Sequence, residues 1–161
     1  MTERELEQIA EAYARLRDGG IDAAVDFLHA DIEWITVAGP EGRRETRGLK
    51  GVRAWFEAME KLWARIEWKP DEVLDAGDHA VVLLTTEAVA LRSEIALQVQ
   101  GASRTWIRDD KLTRVAMYTD PAEALELAGI SGAGGAKRLV VGRDRDEDHE
   151  RRADRDLPFG A

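Results

Sequence analysis

Two side chains, Tyr13 and Arg104, are the strongest candidates for contacting a bound molecule. Tyr13 lies on the apolar stripe of an N-terminal helix, where its hydroxyl is either satisfied inside the core or offered to a ligand. Arg104 lies in a β-rich run, and a buried guanidinium without a partner is costly. If Arg104 faces inward it needs Glu87 or an acidic ligand, so an apolar molecule with a carboxylate or an enolisable carbonyl would suit it.

Several other kinds of chemistry are not expected from this composition. The chain has no cysteine, which excludes disulfides, a thiol nucleophile and a thiolate metal site. His29, His79 and His149 are widely separated, so we expect no metal site. The glycines of residues 132–135 lack the flanking strand and helix of a phosphate loop, and we expect no cofactor.

The charge of the chain argues against two classes of partner. The formal net charge is −9, which disfavours nucleic acid and anionic membrane surfaces. No apolar run approaches the roughly 18 residues of a membrane span, and none resembles a signal peptide. We therefore expect a cytoplasmic protein that binds neither nucleic acid nor membrane.

The apolar periodicity predicts helices first, then a sheet, then a short closing helix. Leu6, Ile9, Tyr13 and Leu16 recur at helical spacing, and Gly19-Gly20 ends that helix. The order of elements indicates an α+β fold. The predicted helices cover residues 3–17, 22–29 and 50–66, and the predicted strands cover residues 32–37, 67–74, 79–91, 95–108 and 111–119.

The segment from residue 104 to residue 130 is the most diagnostic of the fold. Asp109-Asp110 separates two β-rich runs, and a two-residue hairpin needs residues that tolerate positive φ. Asp120-Pro121-Ala122-Glu123 is a capping box with proline at the first helical position. Gly129 then ends the closing helix.

The composition changes after Ile130, where a glycine-rich linker precedes a run of mixed charge. We predict one domain over residues 1–130, followed by a linker and a disordered tail over residues 131–161. Leu139-Val140-Val141 is the apolar segment through which that tail would dock if it docks at all. Truncation after Ile130 is expected to change the melting temperature by no more than a few degrees.

Strand register decides which face of the sheet lines a pocket. Counting back from a turn at Asp109-Asp110 puts one set of residues on the same face, namely Ala102, Arg104, Trp106, Val115, Met117 and Thr119. Ile95, Leu97 and Val99 alternate in the opposite phase. We predict a bulge at Gly101 that reconciles the two phases. Without this bulge, Ser103 and Thr105 face the pocket instead.

Five segments in this order resemble the SnoaL-like members of the nuclear-transport-factor-2-like superfamily. They are residues 12–22, Leu28-His-Ala-Asp-Ile-Glu-Trp34, Gly48-Leu-Lys-Gly-Val-Arg-Ala-Trp-Phe56, Asp75-Ala-Gly-Asp78 and residues 108–130. The resemblance implies a cone-shaped, curled antiparallel or mixed sheet wrapped around three N-terminal helices, with a short closing helix. It also implies an apolar pocket at the open end of the cone, and a homodimer. The superfamily holds cyclases, isomerases, dehydratases, epoxide hydrolases and binding proteins, so the fold alone does not select a function.

The catalytic residues of these relatives are largely replaced in this sequence. The epoxide-hydrolase positions align with Ala88, Ala90 and Met117, so the water-activating carboxylate is missing. The isomerase positions align with Tyr13, Thr36 and Arg104, which leaves an oxyanion-stabilising pair without a base. The histidine common in the family corresponds to Ser103.

We therefore expect the chain to bind a small, mostly apolar molecule, neutral or acidic, in a cone-shaped pocket. It would act as a non-catalytic binder or as an isomerase-type or cyclase-type enzyme whose acid–base pair cannot be identified. The alternative is a structural or regulatory homodimer whose pocket is filled by its own side chains, which closure by Trp55, Trp63 and Trp106 would favour. The candidate ligand-binding residues are Tyr13, Trp34, Trp55, Met59, Arg104, Trp106, Met117 and Thr119.

Overall fold

The computed structural model describes residues 1–37, 42–93, 95–131 and 136–141. Within these ranges the chain forms three α-helices, a 3-10 turn and seven strands. The helices are α1 (Glu3–Ala24), α2 (Gly48–Leu62) and α3 (Pro121–Leu127), and the 3-10 turn covers Val25–Phe27. The strands are β1 (Leu28–Thr36), β2 (Arg44–Arg47), β3 (Trp63–Asp75), β4 (Ala80–Ala90), β5 (Ala96–Arg108), β6 (Lys111–Tyr118) and β7 (Arg138–Val140).

The strands form one curled, mixed sheet in the order β2–β1–β6–β5–β4–β3–β7. β1 and β6 are parallel, and the other neighbouring pairs are antiparallel. The expected α+β class, with helices preceding most of the sheet, is therefore confirmed. No helix in the described ranges is long and apolar enough to cross a membrane.

Helix α1 begins at a capping box and is broken near its end. The Thr2 hydroxyl accepts from the Glu5 backbone and the Glu5 carboxylate accepts from the Thr2 backbone, which satisfies two of the free amides at the helix start. Gly20 has a φ of 71° inside the assigned helix, a conformation that glycine adopts without a steric cost. The predicted end at Gly19-Gly20 thus appears as a kink, after which one more turn leads into the 3-10 segment.

Helix α2 ends four residues earlier than predicted, at Leu62. Trp63 and Ile66 belong to β3, where Ile66 pairs with Ala88 of β4. The reason is that Ile66 and Trp68 alternate with Arg65, Glu67 and Lys69, and this period of two suits a half-buried strand. The prediction of a helix to residue 66 was wrong because it extended the apolar helical pattern past the start of this alternation.

The hairpin turn and the closing helix form as predicted, but the described residues show only the Asp120 half of the predicted capping box. Asp109 and Asp110 have φ values of 52° and 63°, as a two-residue hairpin turn requires. The Asp120 carboxylate accepts a hydrogen bond from the Ala122 backbone, with Pro121 in the first helical turn. Gly129 follows α3 with a φ of 72°.

Strand β7 adds an edge to the sheet from the segment that precedes the end of the described chain. It pairs antiparallel with β3, with Leu139 opposite Val73, and Leu139 packs against the main core. The predicted domain boundary at Ile130 remains a prediction, as does a disordered tail, because residues 142–161 lie outside the described residues.

The core is split into two layers by the sheet. The inner face packs on α1 and α2 through residues such as Val73, Val82 and Val115. The outer face is covered by α3 through Ala124, which lies over Val81 and Ala116. Because successive strand residues point to opposite faces, this division fixes which side chains surround the space inside the cone.

Candidate functional site

A cavity of about 460 Å³ lies between the inner face of the sheet and helix α2. Its volume falls in the range of small-molecule sites, roughly 300–1,000 Å³. Its walls come from α2 and from strands β1 to β6. The lining residues are Thr36, Gly42, Arg44, Trp55, Met59, Leu62, Trp63, Ile66, Trp68, Leu84, Thr86, Ala88, Leu97, Val99, Gln100, Gly101, Ala102, Met117, Tyr118 and Thr119.

The cavity has an aromatic wall built by α2 and β3. Trp55 and Met59 are four residues apart on α2, so they lie on the same face of the helix. Trp55 and Trp68 have ring centroids 6.2 Å apart, and Phe56 packs edge-on against Trp68 from the core side at 5.2 Å. These contacts hold the indoles in place and present flat apolar surfaces to the cavity.

The polar groups on the cavity wall are mostly neutral. Thr36, Thr86, Thr119 and Gln100 offer hydroxyl and amide groups, and Arg44 supplies a guanidinium. Among the described lining residues there is no aspartate, glutamate or histidine. Such a wall can bind a molecule and orient it through hydrogen bonds.

Five exposed apolar side chains lie on the cavity wall or next to it, and we define them as the apolar rim: Leu62, Leu91, Ile95, Leu97 and Val99. Their side chains are between 44% and 65% exposed. Leu62, Leu97 and Val99 also line the cavity. Grouped exposed hydrophobic side chains of this size usually mark a binding surface.

The register of β5 differs from the prediction. The β4–β5 pairing is regular from Ala80 to Val89, so Gly101 lies opposite Leu84 without a bulge. The irregularity lies between Trp106 and Ile107 in the β5–β6 pairing, and it shifts Arg104 opposite Ala116. The predicted bulge at Gly101 was wrong, because the phase of Leu97 and Val99 continues unbroken along the inner face.

The consequence is that Arg104 and Trp106 lie on the outer face. The Arg104 Nε donates to His79 Nε2 over 3.1 Å, and its guanidinium lies 4.9 Å from the Trp106 ring centroid. The His79 ring stacks on Trp106 at 4.5 Å, and its Nδ1 lies 2.6 Å from Asp78 Oδ1. The hydrogen bond from His79 lowers the pKa of the exposed Asp78 carboxyl. Arg104 therefore has a partner on the outer face and is not among the residues that line the cavity.

Tyr13 lies in the core, in a closed triangle of hydroxyl groups. Its hydroxyl is 2.5 Å from Ser103 Oγ and 2.9 Å from Thr105 Oγ1, and those two are 3.1 Å apart. Burial raises the pKa of the Tyr13 phenol above its ordinary value. Ser103 and Thr105 face inward, as expected for a register without the Gly101 bulge, but they bond Tyr13 and do not line the cavity.

The structure brings four of the eight candidate residues to the cavity wall: Trp55, Met59, Met117 and Thr119. Tyr13 and Trp34 lie in the core, and Arg104 and Trp106 lie on the outer face. Sequence reasoning did not assign Trp63, Ile66, Trp68 and Thr86 to the site. The alternation of apolar and charged residues from Arg65 to Lys69 could have identified β3, and with it Ile66 and Trp68.

Comparison with known proteins places this geometry among related folds. The family described as SnoaL-like domain matches residues 9–115. Among the curated proteins, none matches this sequence. A crystal structure of TerC co-crystallised with polyporic acid is 25% identical, with a TM-score of 0.63, over 78% of this chain and 98% of that one.

Two further solved structures share the fold at lower identity. An NTF2-like protein of unknown function from Burkholderia pseudomallei is 18% identical, with a TM-score of 0.65, over 79% of this chain and 98% of that one. A protein from Jannaschia sp. CCS1, described as a SnoaL-like polyketide cyclase, is 18% identical, with a TM-score of 0.58, over 79% and 94% of the two chains. At these identities, the two structures show only that the present chain shares their fold.

Proposed function

The chain belongs to the SnoaL-like domain family, and from this premise we propose that it binds a flat, mostly apolar aromatic molecule in the cavity. The observation that carries the proposal is the wall formed by Trp55, Trp63 and Trp68 around a volume of about 460 Å³. Indole rings favour offset or edge contacts with another aromatic ring, worth about 0.5–1.5 kcal/mol each beyond the burial of area. An aromatic ligand would use these contacts more fully than an aliphatic one.

The polar groups suggest a ligand with oxygen substituents. Thr36, Thr86 and Thr119 can donate to or accept from hydroxyl and carbonyl groups. Arg44 is the charged residue of the described lining, and it pairs with Thr36 across β1 and β2. Arg44 thus takes the role that the sequence assigned to Arg104, namely recognition of an acidic group on the ligand.

The co-crystal structure of TerC with polyporic acid supports this ligand class. That protein has the same fold and is 25% identical to this chain. We propose that the cavity described above accepts an aromatic acid of comparable kind.

We favour binding over catalysis. An isomerase or cyclase needs a group that removes or delivers a proton near neutral pH. The described lining offers threonines, a glutamine, a tyrosine and an arginine, but no carboxylate or imidazole. The alternative was a pocket filled by the chain's own aromatic side chains, including Trp106. The open volume of the cavity disfavours this alternative, and Trp106 lies on the other face of the sheet.

A homodimer through the outer face of the sheet is a second, separate proposal. Trp106, Arg104 and Arg114 form a cationic aromatic group there, with the Arg114 guanidinium 4.8 Å from the Trp106 ring. Aromatic residues and arginines are enriched in protein interfaces. Sedimentation at micromolar concentration should show a dimer, and a purely monomeric species would contradict this proposal.

The test of the ligand class compares an acidic with a neutral aromatic compound by calorimetric titration. We expect polyporic acid to bind, and we expect Arg44→Gln to weaken it about tenfold or more, because a charge-assisted hydrogen bond contributes about 1.5–3 kcal/mol. A neutral aromatic compound should lose less than threefold. Equal losses for both compounds would mean that Arg44 does not recognise the acid.

A further inference from the structure

Strand β5 has an open edge over its first residues. β4 pairs with the whole stretch from Ala96 to Thr105, but β6 pairs with β5 only from Ala102 onward. After Tyr118 the chain leaves the sheet and enters α3. Among the described residues, no strand pairs with residues 96–100 on the side where β6 would continue. This stretch therefore presents unpaired backbone groups to its surroundings.

The unpaired backbone groups belong to alternate residues of β5. The Ala90 amide donates to the Ile95 carbonyl over 3.3 Å, so Ile95 directs its carbonyl at β4. Neighbouring residues of a strand in an antiparallel ladder direct their N–H and C=O groups to opposite sides. Ala96, Gln98 and Gln100 therefore direct theirs away from β4, at the open edge.

The side chains along this edge are apolar or neutral. Ile95, Leu97 and Val99 belong to the apolar rim and are 60%, 44% and 49% exposed. Residues 95–101 contain no charged residue and no proline, and their pairing with β4 is regular. Proteins usually protect an open strand edge with charges, proline or a bulge. An exposed edge without these features is a template for another strand.

A second copy of the same chain is the occupant that fits this edge. The chain carries a formal net charge of −9, so two copies repel each other unless they meet at an uncharged surface. Residues 95–101 supply that surface. The alternation is also self-complementary, because an antiparallel copy with a two-fold axis at Leu97 places Ile95 opposite Val99 and Ala96 opposite Gln98. Apolar side chains then meet apolar ones on the cavity face of the sheet.

The rest of the sheet restricts the register of such a pair. β6 occupies the edge from Ala102 onward, so the end of β6 in one copy must pass beyond the start of β5 in the other. With the axis at Leu97, Ala102 of the second copy is level with Arg92, which follows the end of β4. An axis at Val99 would instead bring Ala102 level with Ala96 and drive β6 of one copy into β5 of the other.

We propose that two copies of the chain pair antiparallel through the open edge of β5, with a two-fold axis at Leu97. The pair of Ala96 with Gln98 occurs once on each side of the axis and exchanges two backbone hydrogen bonds each time, about four in all. The two Leu97 side chains meet beside the cavity that they line. The pairing depends on no ligand, and it is separate from the outer-face dimer because it leaves the outer face of the sheet free.

Cysteine cross-linking tests the proposal, because the chain contains no cysteine of its own. Residues on the axis of such a pair have Cα atoms about 4.5 Å apart, which suits a disulfide. The test variant is therefore Leu97→Cys. The matched control is Val99→Cys, on the same strand and face and similarly exposed. The two copies of residue 99 would lie about 13 Å apart along the strands, too far for a disulfide.

Under mild oxidation at micromolar concentration, we expect the disulfide between two chains to form about tenfold faster in Leu97→Cys than in Val99→Cys. Gln98→Pro, added to Leu97→Cys, removes a backbone donor from the open edge and leaves the ladder with β4 intact. It should slow the cross-linking about tenfold. Gln98→Ala removes the same side chain but keeps the donor, so it should slow the cross-linking less than twofold. Each variant is first shown to be folded by thermal unfolding.

Equal cross-linking rates for Leu97→Cys and Val99→Cys would overturn the proposal, and this comparison stands even if Gln98→Pro does not fold. A folded Gln98→Pro variant that cross-links as fast as its parent would overturn it as well. A dimer in sedimentation together with slow cross-linking of Leu97→Cys would assign the association to another surface, such as the outer face, and would also contradict pairing through β5.

Discussion

The substitution Tyr13→Phe separates a structural role of this tyrosine from a role in ligand binding. The Tyr13 hydroxyl closes a buried triangle with Ser103 and Thr105. Removing the Tyr13 hydroxyl deletes two of the three hydrogen bonds of this triangle and leaves the one between Ser103 and Thr105. An incompletely satisfied buried polar group costs about 1–3 kcal/mol, and the surviving Ser103–Thr105 bond favours the lower half of that range.

The expected loss of stability is therefore about 1–2 kcal/mol. For a chain of 161 residues, each kcal/mol lowers the melting temperature by roughly 2–4 °C, so calorimetry should show a decrease of about 2–8 °C. The matched control is the triple variant Tyr13→Phe, Ser103→Ala, Thr105→Val. Because it leaves no polar atom of the triangle behind, it should recover most of the lost stability.

The effect should also depend on pH. The folded state raises the pKa of Tyr13 above its ordinary value near 10.0, so the fold favours the protonated phenol. The stability that the protonated Tyr13 phenol adds to the fold is fully present below pH of about 10, and it is lost as the pH rises through the folded-state pKa. The difference in stability between wild type and Tyr13→Phe should thus shrink above pH of about 10.

The affinity of Tyr13→Phe for an aromatic ligand tests whether the Tyr13 hydroxyl is structural. Tyr13 does not line the 460 Å³ cavity, so Tyr13→Phe should change the dissociation constant less than twofold at a temperature where the variant is folded. A tenfold loss of affinity with an unchanged melting temperature would show that the hydroxyl contacts the ligand.

Two other predictions follow from the register and from β7. Arg104→Met should leave the affinity for an acidic aromatic ligand unchanged, because Arg104 is bonded to His79 on the outer face; a loss of affinity measured by titration would contradict the observed register. Truncation after Val141 should leave the melting temperature within a few degrees of wild type. Truncation after Ile130 should lower the free energy of unfolding by about 1–3 kcal/mol more, because it also removes β7 and the packing of Leu139 against the core. If the two truncated proteins unfold at the same temperature, β7 contributes little to stability.

Local chemistry made much of the fold predictable from sequence. The Asp120 cap of α3, the turn at Asp109-Asp110 and the stripe from Leu6 to Leu16 depend on neighbours along the chain, and each of these was found. The end of α2 was missed because Trp63 and Ile66 satisfy a helical and a strand pattern equally well. The alternation from Arg65 to Lys69 is the sequence signal that favours the strand, and the pairing of Ile66 with Ala88 confirms it.

The site was less predictable because it depends on the phase of the strands. A single residue of register moves every side chain of β5 to the other face. The bulge near Trp106 was not signalled by a glycine, whereas Gly101, which suggested one, lies in a regular ladder. Because the irregularity lies between Trp106 and Ile107 and not at Gly101, Arg104 and Trp106 lie on the outer face, whereas Met117 and Thr119 line the cavity.

The ligand-binding role of the cavity is tested most directly by blocking it. Ala88 is buried on the cavity wall, beside Ile66 and Leu97 on the neighbouring strands, so Ala88→Trp should place an indole in the space a ligand would occupy. Val140→Trp adds the same side chain at a position that is 63% exposed and does not line the cavity, and it serves as the control.

The measurement is the calorimetric titration of polyporic acid into wild type and both variants, each first shown to be folded by thermal unfolding. We expect one molecule bound per chain in wild type and in Val140→Trp, and a loss of affinity of at least about a hundredfold, or about 2.7 kcal/mol, in Ala88→Trp. Binding of equal strength to wild type and to Ala88→Trp would contradict a ligand site in this cavity.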